Sequence, residues 1–476
     1  MATQLKINPV TRVEGHLEVD VTIEKAGGKD QVVEARVAGP MFRGFETIMT
    51  GRDPRDAVHY TQRICGVCPV SHAMAASLAL EDAFGVTPPP NGRIIRNLVL
   101  GANFIQSHII HFYHLALPDY IDTTGLLDMS PWKPRFQAAD LIRGPLAAQL
   151  VGSYVQALAV RRTAHQMAAV YSGRIPGVAN FTAGGSTERA TRGSVSTFRP
   201  LLDEIRAFID TTMLADAAAI AAAFPQDSEL GRGPGNLLAY GVFDLNDDGS
   251  SKLLGRGRYA GGAEGAVDAG LIREYVAHSW FTPESGGLHP SDGVTEPAIG
   301  KDGAYSWVKA PRYEDGVYEL GPLARMWVNG DYRRGISSMD RILARVQETK
   351  KVADAMAGWL DELVLGDPVY THAETPQSAL GVGLTEAPRG ALGHWVRIEQ
   401  GKIARYQVIT PTAWNGSPRD DGGQAGAIEQ ALIGVPVSDM RSPLEVLRVV
   451  HSFDPCLACA VHMVRPGTRA QRPAAL

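Results

Sequence analysis

Apolar and polar positions alternate over residues 5–40. Leu17, Val19, Val21 and Ile23 recur at every second place, and Val32, Val33, Ala35 and Val37 resume the pattern beyond Gly27-Gly28. A period of two places one face of a strand in the interior, so this stretch predicts a β-hairpin or short meander turning at the two glycines. From 53 to 84 the spacing becomes helical, with a break at Gly66 and Pro69. Residues 97–117 predict a long apolar helix ended by Pro118, because proline lacks the donor a helix interior needs. Helical spacing returns over 136–172, 197–224 and 340–365. Residues 231–300 are rich in glycine and aspartate and predict loops with a few short strands. Alternation reappears over 393–410 (Trp395, Arg397, Ile403, Arg405, Gln407), predicting a second hairpin that turns at Gln400-Gly401. The fold class expected is α+β, mainly helical, with small peripheral β-sheets and no internal repeat.

Composition adds mostly exclusions. A chain of 476 residues exceeds what one hydrophobic core usually supports, so it predicts one large layered domain or two to three intimate ones. Hydrophobic residues at 45% and charged residues at 20% are ordinary for a globular protein. A net charge of −5 and a pI near 6.2 give no reason to expect nucleic acid or an acidic membrane surface as partner. No apolar run approaches the roughly 18 residues of a membrane helix. The start, Met1-Ala-Thr-Gln-Leu-Lys6, lacks the design of an export signal, so a soluble chain is expected, carried by a partner if it is exported.

The cysteines change the picture. All four lie in two CxxC pairs at opposite ends, each trailed by a histidine: Arg63-Ile-Cys65-Gly-Val-Cys68-Pro-Val-Ser-His72 and Asp454-Pro-Cys456-Leu-Ala-Cys459-Ala-Val-His462. This spacing sets two thiolates together for a metal or a redox dithiol, where disulfide staples would be scattered. Four converging thiolates can hold zinc, an iron–sulfur cluster or another soft metal. Structural zinc pairs usually lie about 15–20 residues apart, stapling modules that lack a core. Here almost the whole chain intervenes, which predicts a deeply buried metal gripped by both ends, a catalytic profile. A structural four-cysteine zinc site remains the competing reading.

The flanking residues carry more. Arg-x-Cys-Gly-x-Cys-x-x-x-His and Asp-Pro-Cys-x-x-Cys-x-x-His resemble the paired signatures of nickel–iron hydrogenase large subunits. The resemblance spans the chain in the family's order through Arg12-Val-Glu14-Gly-His16, Arg43-Gly-Phe-Glu46, Gly51-Arg-Asp-Pro-Arg-Asp56, Glu386-Ala-Pro-Arg389-Gly and Pro411-Thr-Ala-Trp-Asn415. It implies the fold of those subunits, a central bundle of long helices with small sheets outside. It also implies a hydrogenase that reversibly splits dihydrogen into protons and electrons at a nickel–iron centre. Cys65 and Cys456 would be terminal nickel ligands, and Cys68 and Cys459 bridges to an iron completed by carbon monoxide and cyanide. Some close relatives carry selenocysteine where this chain has Cys456.

Further roles follow from the same resemblance. Arg389 would overhang the open metal position, with Asp454 as its carboxylate partner. Glu14 would take the proton that cleavage delivers to a terminal thiolate. Glu46, the carbonyl of Val408 and His462 would bind a magnesium or iron ion near the carboxyl terminus. His72 would hydrogen-bond a bridging thiolate, and Pro411 and Thr412 would cradle a cyanide. Ser107 departs from relatives that carry aspartate there, which puts the network near Arg389 in doubt. His108, His111 and His114 sit three apart on a predicted helix and read as satisfied core histidines or as facing the electron-transfer partner.

The resemblance makes residues 1–462 one catalytic domain and 463–476 an extension that a maturation endopeptidase removes after His462, once nickel-insertion factors have acted. With no cysteines to spare for iron–sulfur clusters, electrons must leave through an obligate small subunit that holds them, and onward to a cytochrome or other acceptor. Relatives place such pairs in the periplasm or on the periplasmic face of the membrane, exported together; a cytoplasmic pair is compatible with the same residues. Hydrogen-sensing relatives usually lack the cleaved extension, so its presence favours turnover over sensing.

Overall fold

Two antiparallel three-stranded sheets form where the sequence alternates. The structure, a computed structural model, describes residues 2–127 and 136–460. Strands β1 (Thr3–Ile7), β2 (Glu18–Ala26) and β3 (Lys29–Ala38) pair in chain order, with Leu5 opposite Val21 and Val19 opposite Val37. Val19, Val21, Ile23, Val32, Ala35 and Val37 are buried, whereas Val33 is exposed. The register steps from Thr22–Glu34 to Ile23–Val32, so Val33 is the extra residue of a β-bulge, and the alternation changes phase there. The second sheet is β4 (Ser378–Ala387), β5 (Gly390–Glu399) and β6 (Lys402–Ile409). Its β5–β6 turn at Gln400-Gly401 has positive φ at both residues, the two-residue hairpin geometry.

Strand β4 lies outside the elements that the pattern predicts, and it carries Gly381 and Gly383 in its interior. Helix α1 (Pro69–Phe84) explains them. The strand lies on its backbone, and a Cβ on Gly383 would stand 2.1 Å from the carbonyl oxygen of Ala75.

Four long helices form the bundle. Helix α2 (Pro90–Ile109) packs on α3 (Gly144–Ser172), and α4 (Arg192–Phe208) packs on α3 in turn. After α5 (Leu214–Ala223), α6 (Ser338–Glu362) packs on both α2 and α4 and closes the ring. Nearly every residue of α2 is buried, as a helix enclosed on all sides must be. Capping chemistry moves several boundaries from those predicted. Helix α2 begins at Pro90 and runs past Ile109 into a wide turn at Ile110–Ala116, and Pro118 lies inside the short 3-10 turn Leu117–Asp119 that follows. Helix α3 starts at Gly144, not 136, with Pro145 in its first turn. The 197–224 stretch starts earlier, at Arg192, where Thr191 and Ser194 form a capping box, and it is two helices joined by a wide turn at Ile209–Met213. Ser337 caps α6 by accepting from the Asp340 N–H at 3.1 Å. Pro69 opens α1 and so does not interrupt a helix. The glycine-rich middle of the chain forms short strands and 3-10 turns. Among the described residues no helix is long and apolar enough to cross a membrane.

Among the described residues two large hydrophobic clusters result, one of the bundle with the second sheet's face on it and one of the first sheet with the C-terminal helices, beside a small third at Phe42, Val276 and Phe281. The last described turn straddles their seam: Cys456 and Cys459 join the bundle cluster, and Leu457 and Ala460 join the other.

The contact between β4 and α1 gives a direct test. Gly383→Ala drives a methyl into the Ala75 carbonyl and should cost about 1–3 kcal/mol. Gly358→Ala, on an exposed position of α6 with nothing within 4 Å of the new Cβ, should be neutral or stabilise by up to about 1 kcal/mol. Thermal melting of the two variants beside the parent checks both signs.

Candidate metal centre

The amino-terminal segment brings the two chain ends together. Glu14 bridges in parallel to Cys456, with its N–H donating to the Pro455 carbonyl and its own carbonyl accepting from Leu457 at 2.7 Å. Gly15 must be glycine here. Its φ is 85°, and a Cβ would stand 2.4 Å from the backbone nitrogen of Ala458. The helices α7 (Pro411–Asn415), α8 (Leu444–Ser452) and α9 (Leu457–Ala460) complete the surroundings. Thr412 Oγ1 accepts the Cys456 N–H at 2.9 Å, fixing the start of the second pair.

The first pair sits in a non-helical loop just before α1, wrapped around its own sulfur. The N–H groups of Val67 and Cys68 both point to Cys65 Sγ at 3.3 Å. From α2, Asn103 and Gln106 both donate to the Val67 carbonyl, at 3.1 and 2.9 Å. Arg43 clasps the two pairs together. Its guanidinium donates to the Ile64 and Arg63 carbonyls at 2.6 and 2.8 Å on one side and to Ala458 at 3.2 Å on the other.

The four sulfurs consequently converge. Cys65 and Cys456 lie 3.5 Å apart, Cys68 and Cys459 3.6 Å, Cys456 and Cys459 2.9 Å, and all four Sγ atoms fall within 4.8 Å of one another. All are buried free thiols. Burial opposes a thiolate, yet at Cys65 the neighbouring cysteines and the Arg389 guanidinium outweigh it and hold the thiol well below its usual value. Burial pushes Cys456 and Cys459 well above theirs. Four thiolates in so dry a cluster therefore require cations among them.

Arg389 lies against the cluster, 2% exposed. Its Nε donates to the Asp454 carbonyl at 2.9 Å, and Nη2 stands 3.0 Å from Asp454 Oδ1, off the line of a hydrogen bond, so neither Nη has a hydrogen-bond partner. Burial works against its charge, but Asp454 and the cysteine sulfurs outweigh it and raise its pKa. Both oxygens of Asp454 likewise lack a hydrogen-bond partner. Buried donors left open beside soft sulfur ligands suit a metal group that carries polar ligands of its own.

A buried framework holds Arg389 in place. Arg325 forks onto Glu348 at 2.8 and 2.6 Å, reaches Glu386 at 2.8 Å, and donates to the carbonyls of Ala387 and Pro388 at 2.9 Å. Burial disfavours both carboxylates. Glu348, gripped by Arg325 and His108, is nonetheless held down at about 2, whereas Glu386 rises to about 7. His108 spends Nε2 on Glu348, His111 on the His451 carbonyl and His114 on the Tyr154 carbonyl. Among the described residues these three histidines form no metal cluster. Ser107 is wholly buried, and its hydroxyl finds no partner there.

Glu14 is half-buried beside Cys65. Burial raises its carboxyl pKa and the nearby sulfur adds to the effect, while Arg389 and Arg43 oppose it. His72, one turn beyond Cys68 on α1, meets His394 through Nδ1 at 3.2 Å, and His394 meets the Tyr406 hydroxyl at 2.8 Å. Glu46 is buried away from the sulfurs and accepts the Val408 N–H at 3.0 Å and the Thr295 hydroxyl. His462 and the 463–476 extension lie outside the described residues.

The profile of the nickel-dependent hydrogenase family matches residues 43–149, 134–336 and 331–462. The chain belongs to that family. It is 42% identical to the periplasmic [NiFeSe] hydrogenase large subunit of Desulfomicrobium baculatum, across 98% of this chain and 96% of the relative. The Hydrogenase-1 large chain of Escherichia coli K12 is 32% identical across 97% and 95% of the two chains. Among solved structures, the reduced Ni-Fe-Se hydrogenase of D. vulgaris Hildenborough superposes with a TM-score of 0.93 and 43% identity, covering 97% of this chain and all of that one. The family match favours nickel over the structural zinc reading, which the sulfur geometry alone leaves open.

Within this nickel-dependent hydrogenase, sequence reasoning misses Arg43, Arg325, His394 and the Asn103–Gln106 pair. Arg43 heads the Arg-Gly-Phe-Glu46 motif, but a motif does not show which carbonyls a guanidinium reaches. Thr412→Val keeps the volume and leaves the buried Cys456 N–H without an acceptor, so it should cost about 1–3 kcal/mol. Chemical denaturation of the variant against the parent measures it.

Proposed function

We propose that this catalytic large subunit performs reversible cleavage of dihydrogen, with Cys65 and Cys456 as terminal nickel ligands and Cys68 and Cys459 bridging to iron. The single observation that carries the proposal is the burial of four sulfurs within 4.8 Å of one another beside an arginine whose Nη groups have no hydrogen-bond partner in the protein. A nickel–iron centre held there by the four cysteines, with carbon monoxide and cyanide on its iron, would supply the redox chemistry for heterolytic splitting.

The chain's residues do the rest. Arg389, cationic and fixed by Asp454, offers Nη–H groups to polarise and orient dihydrogen at the open face. Pro411 and Thr412 lie where the turn of α7 meets Cys456 and would line a cyanide. The role proposed for His72 needs its proton on Nε2, toward a bridging sulfur, so Nδ1 would accept from His394 Nε2–H and the Tyr406 hydroxyl would donate to His394 Nδ1. Glu14, raised in pKa by burial and by the Cys65 sulfur beside it, takes a proton from that sulfur and passes it outward, because burial makes the neutral carboxyl easier to form.

Glu46 and the Val408 carbonyl would hold a magnesium or iron ion with His462. Within a strand the N–H and C=O of one residue point to the same side, and the Val408 N–H faces Glu46. The sequence contains no cysteine beyond the four, so electrons leave through an iron–sulfur small subunit toward a cytochrome or other acceptor. An endopeptidase and nickel-insertion factors would finish the chain at His462. A periplasmic home fits the relative named for that compartment.

Metal analysis of the purified heterodimer should find nickel in this subunit with matching active-site iron, infrared bands of carbon monoxide and cyanide, and an intact mass ending at His462. Zinc as the sole metal of this subunit would refute the reading, and an active chain that retains 463–476 would refute the processing step. Glu14→Gln should keep the metals and the infrared bands while turnover drops about 100- to 10,000-fold. Exchange of deuterium gas with solvent protons, unchanged in that variant, would remove Glu14 from the proton path.

A further inference from the structure

Asp454 stands in the left-handed backbone region, with φ 55°, and an aspartate held there needs restraint from its surroundings. The restraint comes from one carbonyl. The oxygen of His451 accepts the Asp454 N–H at 2.9 Å and, from the bundle, His111 Nε2–H at 2.7 Å. The other ring nitrogen of His111 meets Arg345 Nε at 3.1 Å. A guanidinium N–H can only donate, so His111 Nδ1 must accept, and the ring proton sits on Nε2, where the His451 carbonyl needs it. Burial, with the Arg345 cation beside it, lowers the His111 pKa well below its usual value and keeps the ring neutral in this one tautomer.

The far side of the turn is pinned as well. The His451 ring takes Asp119 at 2.5 Å and the Thr11 carbonyl at 2.8 Å, and Asp119 pairs with Arg12. The turn from His451 to Asp454 is thus clamped between the bundle and the amino-terminal segment. It presents to Arg389 both the Asp454 carbonyl and the Asp454 carboxylate.

We infer that His111 is a positioning residue for dihydrogen activation: locked by Arg345, it fixes the His451–Asp454 turn and through it the Arg389 guanidinium over the four sulfurs. The inference rests on the role proposed above for Arg389. It gives a function to a histidine that the sequence presents only as one of three on a helix.

The test uses the metal-loaded heterodimer with His111→Phe, which fills the space without the hydrogen bond, and His111→Gln, whose amide can replace the Nε2 donor. His111→Phe should retain nickel and iron, displace the cyanide stretching bands, and lower kcat about 10- to 100-fold with KM for dihydrogen little changed. His111→Gln should recover the parental bands and most of kcat. A loaded His111→Phe enzyme with parental bands and kcat overturns the inference. If His111→Phe fails to load, Arg345→Gln, which removes the lock and leaves the ring, is read in the same way. Failure of both to load assigns the pair to folding and also overturns it. A parent heterodimer without nickel or the diatomic bands would instead sink the proposed function.

Discussion

Cys65 and Cys456 are 391 positions apart in the chain and 3.5 Å apart at their sulfurs, and the rest of the molecule is arranged around that meeting. Bringing two chain ends into one buried cluster costs conformational entropy and concentrates groups that repel once ionised. The structure meets the first demand with backbone contacts. Arg43 ties the segments together through three carbonyls, Thr412 holds the Cys456 N–H, and Glu14 runs beside Cys456. The charge itself is left for metal cations to balance.

Buried arginines form the second level of organisation. Arg325 and Arg389 are 0% and 2% exposed, and Arg345 is 1% exposed. Arg325 is saturated by Glu348, Glu386 and two carbonyls, so it acts as a rigid post for the strand that precedes Arg389. Removing one partner of such a buried pair strands a charge, at a typical cost of about 3–5 kcal/mol. Arg389 is different: neither Nη has a hydrogen-bond partner in the protein, and only Nη2 is ion-paired, with Asp454. That contrast separates Arg325 from Arg389 better than burial does, since the two are equally hidden.

The bundle and the sheets divide the work. Helix α1 carries His72 one turn beyond Cys68, α2 grips the cysteine loop through Asn103 and Gln106, and β4, β5 and β6 supply the Arg389 side and the Val408 side of the centre. The centre lies on the seam between two hydrophobic clusters because its second half is a single helical turn. Cys456 and Cys459 face one core, and Leu457 and Ala460, one position on, face the other.

Local pattern determined much of this protein. The two hairpins, their turns at Gly27-Gly28 and Gln400-Gly401, the existence of the long helices, the four thiols as a metal set and the family motifs are all legible along the chain, because each depends on neighbouring residues or on spacing. Boundaries were less legible, since Pro90, Pro145 and Ser337 act through caps that periodicity ignores. Strand β4 was hidden because its glycines serve a close approach to α1 that only packing creates. The reach of Arg43 across two distant loops, the saturation of Arg325 against the open donors of Arg389, and the fixed tautomer of His111 belong to the tertiary structure alone. A guanidinium or an imidazole has the same composition in every context. What it does is set by which acceptors, hundreds of residues away, the fold brings within hydrogen-bonding distance.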